Sequence, residues 1–206
     1  MGGESHRRRG ALCFSEGYFV EIMTKLKIFG KKELRNDLYF NFLKMIKKGF
    51  QAEAFLLMMA TWNFARFRYA VRTFNLVEFE KKIKQLEPVF KKFYGKDFKT
   101  INFDDYSSEI KKIFNVLAGI KGIEKTGATK LMHLKDPKVF VMWDGYIRNY
   151  YGFKKGDYRD YIAFLKLMQE KFENIKPKSG RTPAKLIDEH NYITITRQII
   201  DNKQEK

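Results

Sequence analysis

An all-α protein is expected from this 206-residue chain on three observations. Apolar residues recur at helical spacing through most of its length. No repeat of fixed period and no low-complexity tract breaks this pattern. Strand-like runs are few; the strongest, VFVMW at 139–143, is too short to found a sheet by itself. The size suits one domain, or two lobes sharing a core, with about seven to nine helices.

The elements follow in order. Residues 33–48, ELRNDLYFNFLKMIKK, place Leu34, Leu38, Phe42, Met45 and Ile46 on one face, and Gly49 ends the pattern. Residues 51–72 are apolar almost all round until their last turns, which predicts a buried central helix. Residues 77–94 form an amphipathic helix that Pro88 should kink or divide. A polar loop at 96–104 precedes SSEIKKIFNVLA at 107–118, a helix with a Ser as its expected N-cap. After the strand-like run, GYIRNYYG reads as a helix opened by Asp144. Asp157 should cap a helix over 157–174, and Thr182-Pro183 should start the last one, which runs to about Ile200. Within that last helix, Tyr192–Thr196 is β-branched and fits helical propensity poorly.

Composition narrows the function. Apolar residues make up 44% and aromatics 16%, which argues against disorder. The formal charge of +17 points to a polyanion, nucleic acid or an anionic membrane surface; a Lys-rich surface serving solubility is the alternative. Cys13 is the only cysteine, so an internal disulfide, cysteine-ligated zinc and a four-cysteine iron–sulfur cluster are excluded, and a reducing, cytoplasmic compartment is expected. His6, His133 and His190 show no metal-ligand spacing and read as surface or capping residues; no metal and no cofactor is expected. No apolar run is long enough to cross a bilayer. Residues 1–22 match no regular element well; they are expected to be a weakly ordered extension, or translation begins at Met23, with one domain over 23–206.

The informative stretch is IKGIEKTGATKLMHLKDPKVFVMWDGYIR at 120–148. One apolar helix ends near Ala118, Gly119–Ile123 reverses the chain, and a second helix over about 125–134 returns with small Ala128 at its packing face. Such a turn presents backbone N–H groups and a helix N-terminus to a phosphate, although an ordinary helical hairpin has the same outline. The order hairpin, helix, extended run, then Asp144 at a helix start resembles the helix–hairpin–helix DNA glycosylase superfamily, over Ile120–Arg148 in motif and about 34–200 in helical pattern. The resemblance implies a two-lobed helical fold with a cleft between the lobes and a hairpin over 110–134. It makes Asp144 the catalytic carboxylate and matches Gly122 to the first hairpin glycine. Two positions depart from the family. Glu124 stands where the second hairpin glycine belongs, and Thr126 stands where bifunctional members carry a Schiff-base lysine.

Without that lysine no amine attacks the sugar, so the expected reaction is hydrolytic and monofunctional. Cleavage of an N-glycosidic bond develops positive charge on the sugar, and a carboxylate answers it or orients the attacking water. The target base leaves the stack of duplex DNA for a pocket, with Trp143, Trp62, Asn63 and Arg66 as its candidate lining. Lys121, Gly122, Ile123, Lys125, Thr126, Lys130 and Arg148 are the candidate nucleic-acid contacts. Core packing for the tryptophans and a solvated face for the lysines are the plainer readings. The alternatives to a repair enzyme are a non-catalytic nucleic-acid-binding protein, which Glu124 and Thr126 favour, and a helical interaction module whose charge serves stability alone.

Overall fold

A computed structural model describes residues 35–204. The expectations for residues 1–22 and Met23, and for His6, Cys13 and Leu34, fall outside the described residues. Within them all the helical and strand-type structure is helix: ten α-helical segments, two 3₁₀ turns and one π-helical turn. An isolated β-bridge, Lys178 with Arg181, closes one turn. No helix among the described residues is long and apolar enough to cross a membrane.

Helices α1 (Arg35–Lys47) and α2 (Gln51–Trp62) pack together, α1 burying Tyr39 and Phe42, α2 burying Ala54, Phe55, Met58 and Met59. The long helix expected over 51–72 is interrupted at Asn63, and α3 (Phe64–Ala70) follows it. Asn63 leaves helical geometry at φ −128°, ψ 21°, and its amide group turns away to serve a distant turn. The second half is also far from buried, since Phe64 and Tyr69 are more than half exposed. Helix α4 (Leu76–Phe90), capped by Asn75, is not divided at Pro88; it continues two residues further and tightens into a 3₁₀ turn at Lys91–Phe93. Pro88 lies in the final turn, so the one backbone bond that its missing N–H forgoes falls at the helix end, where the chain is already passing into the 3₁₀ turn.

The segment 96–104 is less polar in effect than its composition, because Phe98, Ile101 and Phe103 are buried. The Gln169 side chain donates to the Phe98 and Ile101 carbonyls, at 2.5 and 2.9 Å. Helix α5 (Ser107–Ala118) sits at the centre, touching α4, α6 (Glu124–Lys135) and α8 (Tyr158–Lys171). Its N-cap position is Tyr106, without a side-chain cap, so the expected serine cap is absent; Ser107 is already helical. Asp157 and Thr182 do cap α8 and α9 (Pro183–Asn191), each accepting backbone N–H bonds. A π-helical turn, Tyr192–Arg197, separates α9 from α10 (Gln198–Gln204), where one continuous helix was expected.

Residues 139–143 form no strand. They run as a buried segment that leaves a turn at Val139 and continues without regular structure, and side chains bond its backbone. His133 Nδ1 lies 2.5 Å from the Phe140 carbonyl, which can only accept, so the imidazole donates there. Its Nε2 then accepts from the Tyr39 hydroxyl at 3.0 Å. Tyr161 donates to the Val141 carbonyl at 2.9 Å, and the Thr129 hydroxyl accepts from Trp143 N–H at 3.4 Å. His133 is therefore a core residue, fully buried, and His190 is buried against Phe172; neither is a surface group.

Candidate functional site

The segment held this way ends at Asp144, which opens helix α7 (Gly145–Tyr150). Asp144 Oδ1 accepts from the Tyr146 and Ile147 N–H groups at 2.8 and 2.9 Å. Its Oδ2 accepts from the Thr196 hydroxyl at 2.7 Å. Asp144 is half-buried and borders a cavity of about 1070 Å³. That volume sits at the upper end for small-molecule sites and has room for a nucleoside.

The turn between α5 and α6 borders the same cavity. Gly122 takes φ +88°, and a Cβ there would stand 2.4 Å from the Ala70 Cβ, so only glycine fits. Its carbonyl and that of Ile123 accept from Asn63 Nδ2 at 3.2 and 3.3 Å. The break in the 51–70 run thus supplies the clamp that shapes the turn. Glu124 stands at φ +53°, the left-handed conformation that glycine adopts freely, and its carboxylate lies 3.8 Å from Arg66.

Most of the residues singled out from sequence gather here. Trp62, Asn63, Arg66, Ile123, Lys125, Thr126, Lys130, Trp143, Asp144 and Arg148 all border the cavity, while Lys121 and Gly122 do not. Several of these side chains also serve the fold. Trp143 is 1% exposed, and its indole packs on Phe114, Tyr161, Phe153 and Phe164. Trp143 therefore offers no open ring face as a base wall; its ring belongs to the core. Asn63 is 7% exposed and is occupied by the turn it clamps. Lys125 Nζ donates to the Lys155 carbonyl at 2.6 Å, Lys130 Nζ donates to the Trp62 carbonyl, and the Arg148 guanidinium lies against the Gly156 backbone.

Trp62 is one of three half-buried aromatics of the cavity, with Tyr146 and Tyr192, and its ring stacks on Tyr39 at 6.0 Å and 12°. Lys185 Nζ lies 5.0 Å from that ring and 4.7 Å from the Tyr39 ring. It is paired with Asp188 at 2.8 Å, and Arg181 holds Glu189 at 3.0 Å. Burial, reinforced by the Asp188 and Glu189 carboxylates, raises the Tyr39 hydroxyl far above the usual phenol range.

Thr196, Lys185, Asp188 and Glu189 were missed in the sequence. Lys185, Asp188 and Glu189 have the spacing of an ordinary surface ion-pair stripe, and nothing local marks them as buried. Thr196 left one trace, the poor fit of YITIT to a helix, and that run is where the helix widens. Among the described residues no three His, Cys, Asp or Glu side chains gather as a metal ion would require. No family model, no curated protein and no solved structure matches the chain.

Proposed function

We propose that the chain is a DNA N-glycosylase of the monofunctional, hydrolytic kind, acting on a damaged base in duplex DNA. In this proposal α5, the Gly119–Ile123 turn and α6 form a helix–hairpin–helix motif. The fold is two-lobed, and the cavity is the cleft between the lobes. The observation that carries the proposal is the cavity itself: Asp144, the N-terminal turn of α6 and the half-buried Trp62 border one space large enough for a nucleoside. The turn keeps a left-handed backbone at Glu124, so the departure from glycine changes its charge more than its path.

The chemistry assigned to each residue follows. Asp144 stays fixed by three hydrogen bonds, so its carboxylate reorganises little as charge develops on the sugar. A carboxylate about 4 Å from that charge contributes about 4 kcal/mol at an effective dielectric near 20, or about a thousandfold in rate. Trp62 offers the flipped base a stacking surface, and Lys185 with Asp188 offers a donor beside an acceptor for its polar edge. Thr126 supplies no amine, so the sugar is attacked by water.

A second reading, a non-catalytic nucleic-acid-binding protein, has one specific observation in its favour: both Asp144 oxygens already accept bonds that serve the fold. The two readings separate in one assay. The protein is incubated with a panel of duplex oligonucleotides carrying single damaged bases, and free base and borohydride-trapped adduct are measured. The proposal expects free base from at least one duplex and no trapped adduct. Tight binding without release supports the second reading, and a trapped adduct contradicts the hydrolytic assignment.

A further inference from the structure

Asp144 Oδ1 accepts two backbone N–H bonds at the start of α7, which occupies both of its lone-pair directions. Oδ2 accepts only one, from Thr196 at 2.7 Å, and has one direction left. Whatever this carboxylate does in the cavity it does through Oδ2, and Thr196 sets where Oδ2 points. Thr196 itself is 4% exposed and borders the cavity. It comes from the far end of the chain, 52 residues beyond its partner.

The π-helical turn Tyr192–Arg197 is what delivers it. Such turns are rare, sit mostly as single wide turns within α-helices, and recur at functional sites. Here the turn lies between α9 and α10 and packs against α7, the helix that Asp144 caps. Its residues include three consecutive β-branched side chains, Ile193, Thr194 and Ile195, before Thr196. These disfavour a tight helical turn, so the sequence pattern and the widened backbone agree. Tyr192, Thr196 and Ile200, four residues apart, all border the cavity through this stretch. A helix cap needs only Oδ1, so the Thr196 bond is surplus to the capping role of Asp144.

We infer that Thr196 is a positioning residue: its hydroxyl, brought in by the π-helical turn, holds Asp144 Oδ2 in the one orientation from which it can act on a bound nucleoside. The inference rests on the glycosylase proposal. It adds a residue that touches no reacting atom and works only through Asp144. It also assigns the widened turn a purpose, since a regular helix would rotate Thr196 away from the carboxylate.

Single-turnover base release and duplex affinity test it, in Thr196→Val, Thr196→Ser and the pair Asp144→Asn with Asp144→Asn/Thr196→Val. Val keeps the shape and removes the donor. A hydrogen bond to a charged group of this kind predicts a rate lower by about 10- to 100-fold in Thr196→Val, with duplex affinity within about twofold. Thr196→Ser keeps the hydroxyl and should restore most of the rate. In the Asp144→Asn background, Thr196→Val should change neither the residual rate nor affinity, because the residue acts through the carboxylate. A Thr196→Val rate equal to the wild type overturns the inference and leaves the glycosylase proposal standing. Equal losses in Val and Ser, accompanied by a lowered melting temperature, overturn it in favour of a packing role. A wild-type protein inert on every duplex defeats the glycosylase proposal and this inference with it.

Discussion

Glu124 holds a left-handed backbone at φ +53° at the mouth of the cavity, beside Arg66. A non-glycine residue in that conformation costs on the order of 1–2 kcal/mol. Against this, an acid in the first turn of α6 gains about 0.3–1 kcal/mol from the helix dipole. Glu124→Gly should therefore change thermal stability little, while removing a carboxylate from the place that the glycosylase proposal gives to a DNA phosphate. Duplex affinity should rise about fivefold, the equivalent of about 1 kcal/mol of relieved repulsion across 4 Å of water. Fluorescence anisotropy with labelled duplex measures it, and unchanged or weaker affinity would place the DNA elsewhere. Gly122 carries the opposite expectation. Gly122→Ala drives a methyl to 2.4 Å from the Ala70 Cβ in a backbone region alanine avoids, and should lower stability by roughly 2–4 kcal/mol in denaturant unfolding. Asn63 shows why residue types alone left two readings open: an amide in an apolar helix reads as a base contact or an internal bond, and only the folded turn shows the two buried carbonyls it serves.

At the scale of elements, the buried segment 139–143 has no regular structure and depends on specific side chains. The sequence showed its apolar character and its place before Asp144. It did not show that no strand would pair with it, because pairing depends on what lies alongside. Its carbonyls are served instead by His133 and Tyr161 from neighbouring helices. Burial pushes the His133 imidazole down to about 4 from its ordinary 6.5. The unfolded chain thus takes up a proton that the folded one refuses, and stability falls as pH drops from about 6.5 to about 4, then levels off. Asp136, at the end of α6, works in the opposite sense: burial raises its carboxyl to about 6 from 3.8, so the folded state holds the extra proton in that range. The difference between proteins isolates the imidazole. Urea unfolding of the wild type should lose on the order of 3 kcal/mol more between pH 6.5 and 4 than that of His133→Gln. Parallel curves would mean that His133 is protonated in the folded state. Helix ends were more legible: Asp157 and Thr182 act as caps as their side-chain chemistry dictates, whereas the break at Asn63 and the widening at Tyr192–Arg197 answer to tertiary partners.

Across the whole molecule, the all-helical character was legible because period and composition are summed over many residues. The cavity was legible at Asp144 and the adjoining turn, where the relevant groups are neighbours in sequence, and at Trp62, Asn63 and Arg66. Its remaining border, from Lys185 to Ile200, comes from the far end of the chain, and no local pattern joins it to the rest. Charge is divided in the same way. The chain carries +17, yet the cavity mixes cations with the carboxylates of Glu124, Asp144, Asp188 and Glu189. The excess positive charge therefore lies mainly outside the cavity, where it suits a phosphate backbone better than a base. Duplex affinity should fall with salt, log K declining by about 0.9 per phosphate neutralised for each tenfold rise in concentration; a flat response would remove nucleic acid as the partner. The most direct measurement is single-turnover release of a damaged base by Asp144→Asn beside the wild type. Asparagine still caps α7 and still fits beside Thr196, so the change removes charge and little else. Release about a thousandfold slower, with duplex affinity and melting temperature unchanged, is the predicted result. A variant that releases base at the wild-type rate would contradict the assignment of Asp144 as the catalytic carboxylate.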